Sequence, residues 1–210
     1  MKTLFLSSDT TFVIKDIIKR LGGNVRNKKL VFITTPAEGE GGEKKWLEDN
    51  KLSLENEGFI VTVYTITGKN KEQLKQDLQQ FDIIHISGGN TFYFLEKSQQ
   101  SGFIEVIREL VLKMGKTYIG TSAGSIIAGP NIYPVINLDD AGKAPNLKGY
   151  EGFGLVDFVI FPHWGSDKFR EGYMNKTMEI NYNAKNKIIL LTDNQYVHVQ
   201  DDLYKIIEVK

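Results

Sequence analysis

The 210-residue chain contains no cysteine. That excludes disulfides, thiolate-bound zinc and a cysteine nucleophile. It has no surplus of charge of either sign: 26 Lys and Arg balance 26 Asp and Glu. The basic excess of most nucleic-acid-binding chains is missing, so no nucleic-acid partner is expected. No apolar run approaches the ~18 residues of a membrane span, so no membrane partner is expected either. The opening MKTLFLSSD has too short an apolar stretch for a secretory signal, and Asp9 ends it. The expected setting is cytoplasmic. Histidine is scarce, with three in the chain, which keeps the search for a general base short. Repeats, low-complexity tracts and linkers are also missing. A hydrophobic share of 41% then suits one soluble domain over 1–210.

What is present is an alternation. Short β-branched apolar runs recur at Thr3–Leu6, Leu30–Ile33, Phe59–Val63, Phe81–Ile86, Thr117–Ile119, Val156–Phe161 and Lys187–Leu191. They are apolar on both faces, as buried parallel strands are. Amphipathic stretches separate them: Thr11–Leu21, Glu43–Glu57, Lys71–Gln80, Thr91–Gln99, Phe103–Met114 and Asp167–Ile180. In the first, Val13, Ile14, Ile17, Ile18 and Leu21 share one face, and Gly22-Gly23-Asn24 supplies a stop. This pattern predicts a parallel sheet covered on both sides. Gln195–Gln200 and Leu203–Val209 alternate around Asp201-Asp202 and predict an antiparallel C-terminal hairpin. Asn131–Gly154 has no periodicity, and a loop of that length is usually functional or mobile.

Gly120-Thr121-Ser122-Ala123-Gly124 fits G-x-S-x-G, placed between an apolar strand and a small-residue helix. A serine on a sharp strand-to-helix turn needs small neighbours for the turn to close. Its hydroxyl is then held out at the carboxyl end of the sheet, beside the free N–H groups of the helix. The alternative is a plain tight turn with a serine cap. Ser125 is a rival nucleophile, one turn into the helix.

A serine nucleophile needs a base. His85 lies inside the strand FDIIHI and reads as a core residue, and His198 in YVHVQ reads as solvent-facing. His163 follows VDFVIFP, where a strand gives way to a loop, and is the leading candidate. The base needs an acid to fix its tautomer. Asp193 follows KIILLT, with Asp139, Asp140 and Asp157 as rivals and a simple turn role as the alternative. Ser87-Gly88-Gly89-Asn90-Thr91 follows another strand, and its glycines expose backbone N–H groups. Neither Walker A spacing nor G-x-G-x-x-G is present, so no cofactor and no metal is expected. Glu38-Gly39-Glu40-Gly41-Gly42-Glu43 is acidic, repels phosphate and reads as a mobile rim.

With SGGNTF (Ser87–Phe92), YIGTSAGS (Tyr118–Ser125) and FPHW (Phe161–Trp164), the chain resembles the peptidase E family of serine peptidases, the aspartyl dipeptidase and cyanophycinase relatives. The resemblance covers most of the chain. It implies a flavodoxin-like three-layer α/β sandwich with a mostly parallel sheet, related to class I glutamine amidotransferases. It also implies Ser122 as nucleophile, His163 as general base and backbone N–H groups of Gly89 and Ala123 as oxyanion donors. The family's acid, a glutamate in aspartyl dipeptidases, falls at Asp193. Asp139 or Asp140 stands near the family's aspartate beyond the elbow. Arg170, in SDKFREGY, is the nearest counterpart of its substrate-carboxylate arginine, across a shortened loop. Asn90, Asp139 and Arg170 are thus the substrate-binding candidates.

The reading that follows is a cofactor-free serine exopeptidase of dipeptidase type acting on small peptides. A homodimer is left open. The rivals are a small-molecule esterase or amidase and a non-catalytic binding module on the same fold.

Overall fold

The computed structural model describes residues 1–182 and 187–210. The chain runs β1 (Thr3–Ser7), α1 (Thr10–Arg20), β2 (Lys29–Ile33), α2 (Thr35–Glu38), α3 (Lys45–Asn56), β3 (Ile60–Tyr64), α4 (Lys71–Leu78), β4 (Ile83–Ile86), α5 (Thr91–Ser101) and α6 (Phe103–Arg108). It continues through β5 (Thr117–Thr121), α7 (Ala123–Ile126), β6 (Phe158–Phe161), α8 (Asp167–Gly172), α9 (Met178–Tyr182), β7 (Lys187–Leu190), β8 (Gln195–Gln200) and β9 (Leu203–Glu208). Wider π turns extend α6 through Lys113 and join α8 to α9.

Seven strands form one sheet in the order β3-β2-β4-β5-β1-β8-β9. From β2 onward this is the 2-1-3-4 order of a flavodoxin-like sheet, with the N-terminal β1 in fifth place. The first five positions are parallel, and β8 and β9 close the edge antiparallel. Alternation along the strands sorts the core into two layers. Leu4, Leu6, Val31, Ile33, Ile84 and Ile86 join Leu74, Leu78, Phe92, Phe94 and Val106 on one side. Phe5, Leu30, Phe32 and Ile119 meet Val13, Ile14, Ile17 and Leu54 from α1 and α3 on the other. This is the expected three-layer sandwich.

Two strands differ from the sequence expectation. β3 lies at the edge, so Ile60 and Val63 are exposed rather than buried. β6 and β7 do not join the main sheet; they pair in parallel with each other. The cause is the C-terminal hairpin: β8 occupies the free edge of β1, and the β6–β7 pair packs nearby, with Phe158 against Tyr204.

Residues 131–154 are not an open loop. They hold short 3₁₀ turns at Tyr133–Val135 and Ala141–Lys143, and they bury Ile132, Pro134, Val135, Ala144 and Phe153. Buried Glu96 on α5 accepts the Asn146 N–H at 2.6 Å, which fastens the segment from outside.

Candidate active site

The carboxyl ends of β1, β4, β5, β6 and β7 converge on one edge, where α/β sheets place their sites. Ser122 immediately follows β5 and has φ 49° and ψ −109°, a conformation sparsely allowed for an L-residue. Its N–H is held by the Ser7 carbonyl at 3.0 Å. The flanking glycines are steric requirements. A Cβ on Gly120 would stand 2.6 Å from the Gly124 carbonyl oxygen, and one on Gly124 would stand 2.4 Å from the Ile86 carbonyl oxygen. The turn closes only without them.

His163, two residues beyond β6, also has a left-handed backbone, with φ 58°. Its Nε2 lies 3.1 Å from Ser122 Oγ, and its Nδ1 lies 2.6 Å from Asp193 Oδ1. The ring is further held by Phe169 of α8, stacked with centroids 4.8 Å apart and planes 12° apart. A ring supported on its face and bonded at both nitrogens keeps one orientation. A base in hydrogen-bond reach of a strained serine, itself oriented by a carboxylate, can remove the hydroxyl proton.

The Ser87–Thr91 loop lies beside the serine: a Cβ on Gly88 would stand 3.4 Å from Ser122 Cβ. Gly89 has φ +132°, and a Cβ there would meet Pro36 backbone atoms at 2.3 Å. Neither the Gly89 nor the Ala123 N–H donates to a protein acceptor among the described residues, so both are free to hold developing negative charge. Across Gly88 stands Trp46, 41% exposed, with its ring edge 3.6 Å from that same Cβ position.

The remaining candidates separate. Asp139 enters the site from the 131–154 segment, and its Oδ2 accepts from both the N–H (2.9 Å) and the hydroxyl of Thr91. Burial raises its pKa above the usual carboxylate range, and Glu40 adds to this; Thr91 and the nearby His163 pull it back. The Asn90 side chain is committed to structure: Oδ1 caps α5 at Tyr93 N–H (2.9 Å), and Nδ2 donates to the Asp140 carbonyl (3.0 Å). Arg170 is exposed on α8, in a shallow cleft with Asp167, Glu171 and Met174. Neither Ser122 nor His163 lines that cleft.

The rivals fall elsewhere. Ser125 is buried with its hydroxyl on the Ser7 and Gly120 carbonyls at 2.7 and 2.8 Å. Asp157 is exposed and paired with Lys187, and Asp140 caps a turn at Gly142. His85 is buried, with Nε2 2.9 Å from Thr121 Oγ1 and Nδ1 without a partner; burial pushes its pKa down to about 3. His198 does not face solvent freely. It stacks on Phe5 at 4.6 Å, because β8 is covered by the α1 layer. The acidic rim is partly fixed, with Glu38 accepting from Thr65, Thr67 and Tyr93 hydroxyls. Sequence reasoning missed Phe169, which stacks on His163 from the next helix, and Trp46 and Ser8, whose side chains meet the site across long sequence separations. Among the described residues no group of three or more His, Asp and Glu is arranged to hold a metal ion, and no helix is long and apolar enough to cross a membrane.

Fold and site define a class: a parallel α/β protein carrying a strained serine turn at the carboxyl edge of its sheet. Peptidase family S51 matches residues 4–207, and the chain belongs to that family of peptidases. An uncharacterized peptidase of Listeria monocytogenes is 30% identical over 200 residues, 95% of each chain. A Drosophila melanogaster relative named an alpha-aspartyl dipeptidase is 34% identical over 94 residues, 45% of this chain and 38% of the relative. A crystal structure of a Listeria monocytogenes protein assigned to peptidase E superposes with a TM-score of 0.90 at 29% identity, covering 100% of both chains.

Proposed function

We propose that the chain is a serine exopeptidase of dipeptidase type that cleaves small peptides. The observation that carries this reading is the line Ser122 Oγ, His163 Nε2 (3.1 Å) and His163 Nδ1, Asp193 Oδ1 (2.6 Å), built on a strained turn. Ser122 Oγ attacks the peptide carbonyl carbon while its proton passes to His163 Nε2. Asp193 holds Nδ1–H and stabilises the imidazolium. The oxyanion that forms is held by the Gly89 and Ala123 N–H groups. The imidazolium proton then goes to the departing amine, which leaves an acyl-serine. Water attacks that ester with His163 again as base, and Ser122 is regenerated.

Exopeptidase character is the reading for which Asp139 is the candidate residue. A free α-ammonium is a dipeptide's distinguishing group, and Asp139, held on the Thr91 N–H at 2.9 Å and within electrostatic reach of His163, is the candidate to bind it. Arg170, exposed on α8, is the candidate to meet an acidic substrate side chain.

The test is digestion of a dipeptide mixture by the wild-type protein, read by mass spectrometry. The mixture holds Asp-X, Glu-X, neutral and β-aspartyl members. Cleavage of free-amine dipeptides, with N-acetylated versions untouched, is the expected result. Silence towards the whole panel would overturn the dipeptidase reading.

A further inference from the structure

β1 contributes nothing to the reacting groups, yet the chain at its end bonds both to the Ser122 turn and to the segments that carry His163 and Asp193. The Ser7 carbonyl accepts the Ser122 N–H at 3.0 Å. Ser8 follows, buried, and its hydroxyl makes two bonds whose direction is fixed by the partners. It donates to the Leu191 carbonyl at 2.9 Å and accepts from the His163 N–H at 3.0 Å. Leu191 is two residues before Asp193, and its carbonyl also takes the Trp164 N–H at 2.8 Å. Among the described residues, the β6–β7 pair that carries His163 and Asp193 shares no strand pairing with the sheet that carries Ser122. The alignment of the two halves therefore depends on contacts made by side chains and loops.

We propose that Ser8 is a positioning residue that locks the His163–Asp193 half of the site to the Ser122 half. Its own placement is rigid: β1 pairs with β5 on one side, and Asp9 caps α1 directly after it. The left-handed His163 backbone costs free energy, and the Ser8 hydroxyl that accepts its part-buried N–H holds it in place. Without the hydroxyl, the imidazole drifts relative to Ser122 while the substrate pocket walls stay in place. The effect therefore falls on turnover rather than on binding.

The inference rests on the serine reading above, and the experiment separates the two. Ser8→Ala, Ser8→Thr and Ser8→Val are compared with wild type by dipeptide turnover, thermal melting and proton NMR of the imidazole Nδ1–H. A hydrogen bond of 2.6 Å carries that proton far downfield. Thr and Val add nearly the same volume and differ in the hydroxyl, so that pair decides the question even if Ser8→Ala folds poorly. The expected result is a fall in kcat of about 10²-fold for Ser8→Ala and Ser8→Val with little change in KM, and a shift of the downfield resonance, because the Nδ1 proton responds to whether Nε2 still meets Ser122. Ser8→Thr restores both. Wild-type turnover and resonance in Ser8→Ala, or equal behaviour of Thr and Val, would overturn the inference. If Ser122→Ala proves as active as wild type, the serine reading fails by itself. The resonance then decides for Ser8, and an unshifted signal in Ser8→Ala counts against it.

Discussion

The imidazole of His163 can serve Ser122 only in the tautomer with Nδ1 protonated and Nε2 free. Asp193, 2.6 Å from Nδ1, selects that tautomer. Asp193→Asn is expected to keep the fold and KM and to lower kcat by about 10³–10⁴-fold, measured by steady-state kinetics on the preferred dipeptide. Turnover unchanged within a few-fold would remove Asp193 from the mechanism. Gly124→Ala tests the turn itself, because the added carbon meets the Ile86 carbonyl at 2.4 Å. It is expected to lower stability by about 1–3 kcal/mol in a denaturant titration, and a neutral result would show that the turn can open without cost. At this scale the sequence was informative where chemistry is local. Ser122, His163 and Asp193 each follow an apolar run, so each could be placed at a strand's carboxyl end, and the structure brings the three together. Phe169, Trp46 and Ser8 were not legible. A stacking phenylalanine, a half-exposed tryptophan and a buried serine carry no local signature of what they touch.

Among the elements, α5 and the 131–154 segment act as a unit. Asn90 caps the helix and holds the Asp140 carbonyl, while Thr91 at the helix start holds Asp139. Asn90→Ala removes the cap and the tether together. The expected loss is about 1–2 kcal/mol, seen as a lower Tm, with a rise in KM larger than any fall in kcat. An unchanged KM would show that Asp139 keeps its place without the tether. The helices and strands were readable from periodicity, and their bounds agree closely with the expected ones. The order of strands was not. Periodicity tells which face of a strand is buried but not which edge finds a partner, so the separation of β6–β7 and the edge position of β3 emerge only in the fold. The packed state of 131–154 was equally hidden, because its buried residues are irregularly spaced and its contacts run across the segment, as from the Ile132 N–H to the Tyr150 carbonyl, and out to α5.

For the molecule as a whole, burial of His85 on the interior strand β4 links folding to acidity. Its pKa is pushed down to about 3 from an ordinary 6.5 because the charged form is shut away from water. Between those values the unfolded chain binds a proton that the folded chain refuses, so stability falls as pH falls through this window. From pH 7 to pH 5 this group alone costs about 2 kcal/mol. His85→Gln keeps an amide that can face Thr121 and does not titrate. Its stability is expected to fall less over that range than that of wild type, compared by urea midpoints at the two pH values. Parallel falls in both proteins would show that His85 takes up its proton in the folded state. Sequence reading placed His85 in the core because FDIIHI is apolar around it, but the unpartnered Nδ1 depends on neighbours from other strands.

The most direct measurement is the turnover of one cleaved dipeptide by wild type and by Ser122→Ala under identical conditions. The serine mechanism requires a loss of about 10⁴-fold or more in kcat, with the variant folded and still binding the substrate. A Ser122→Ala protein that turns over at a near-wild-type rate would contradict it.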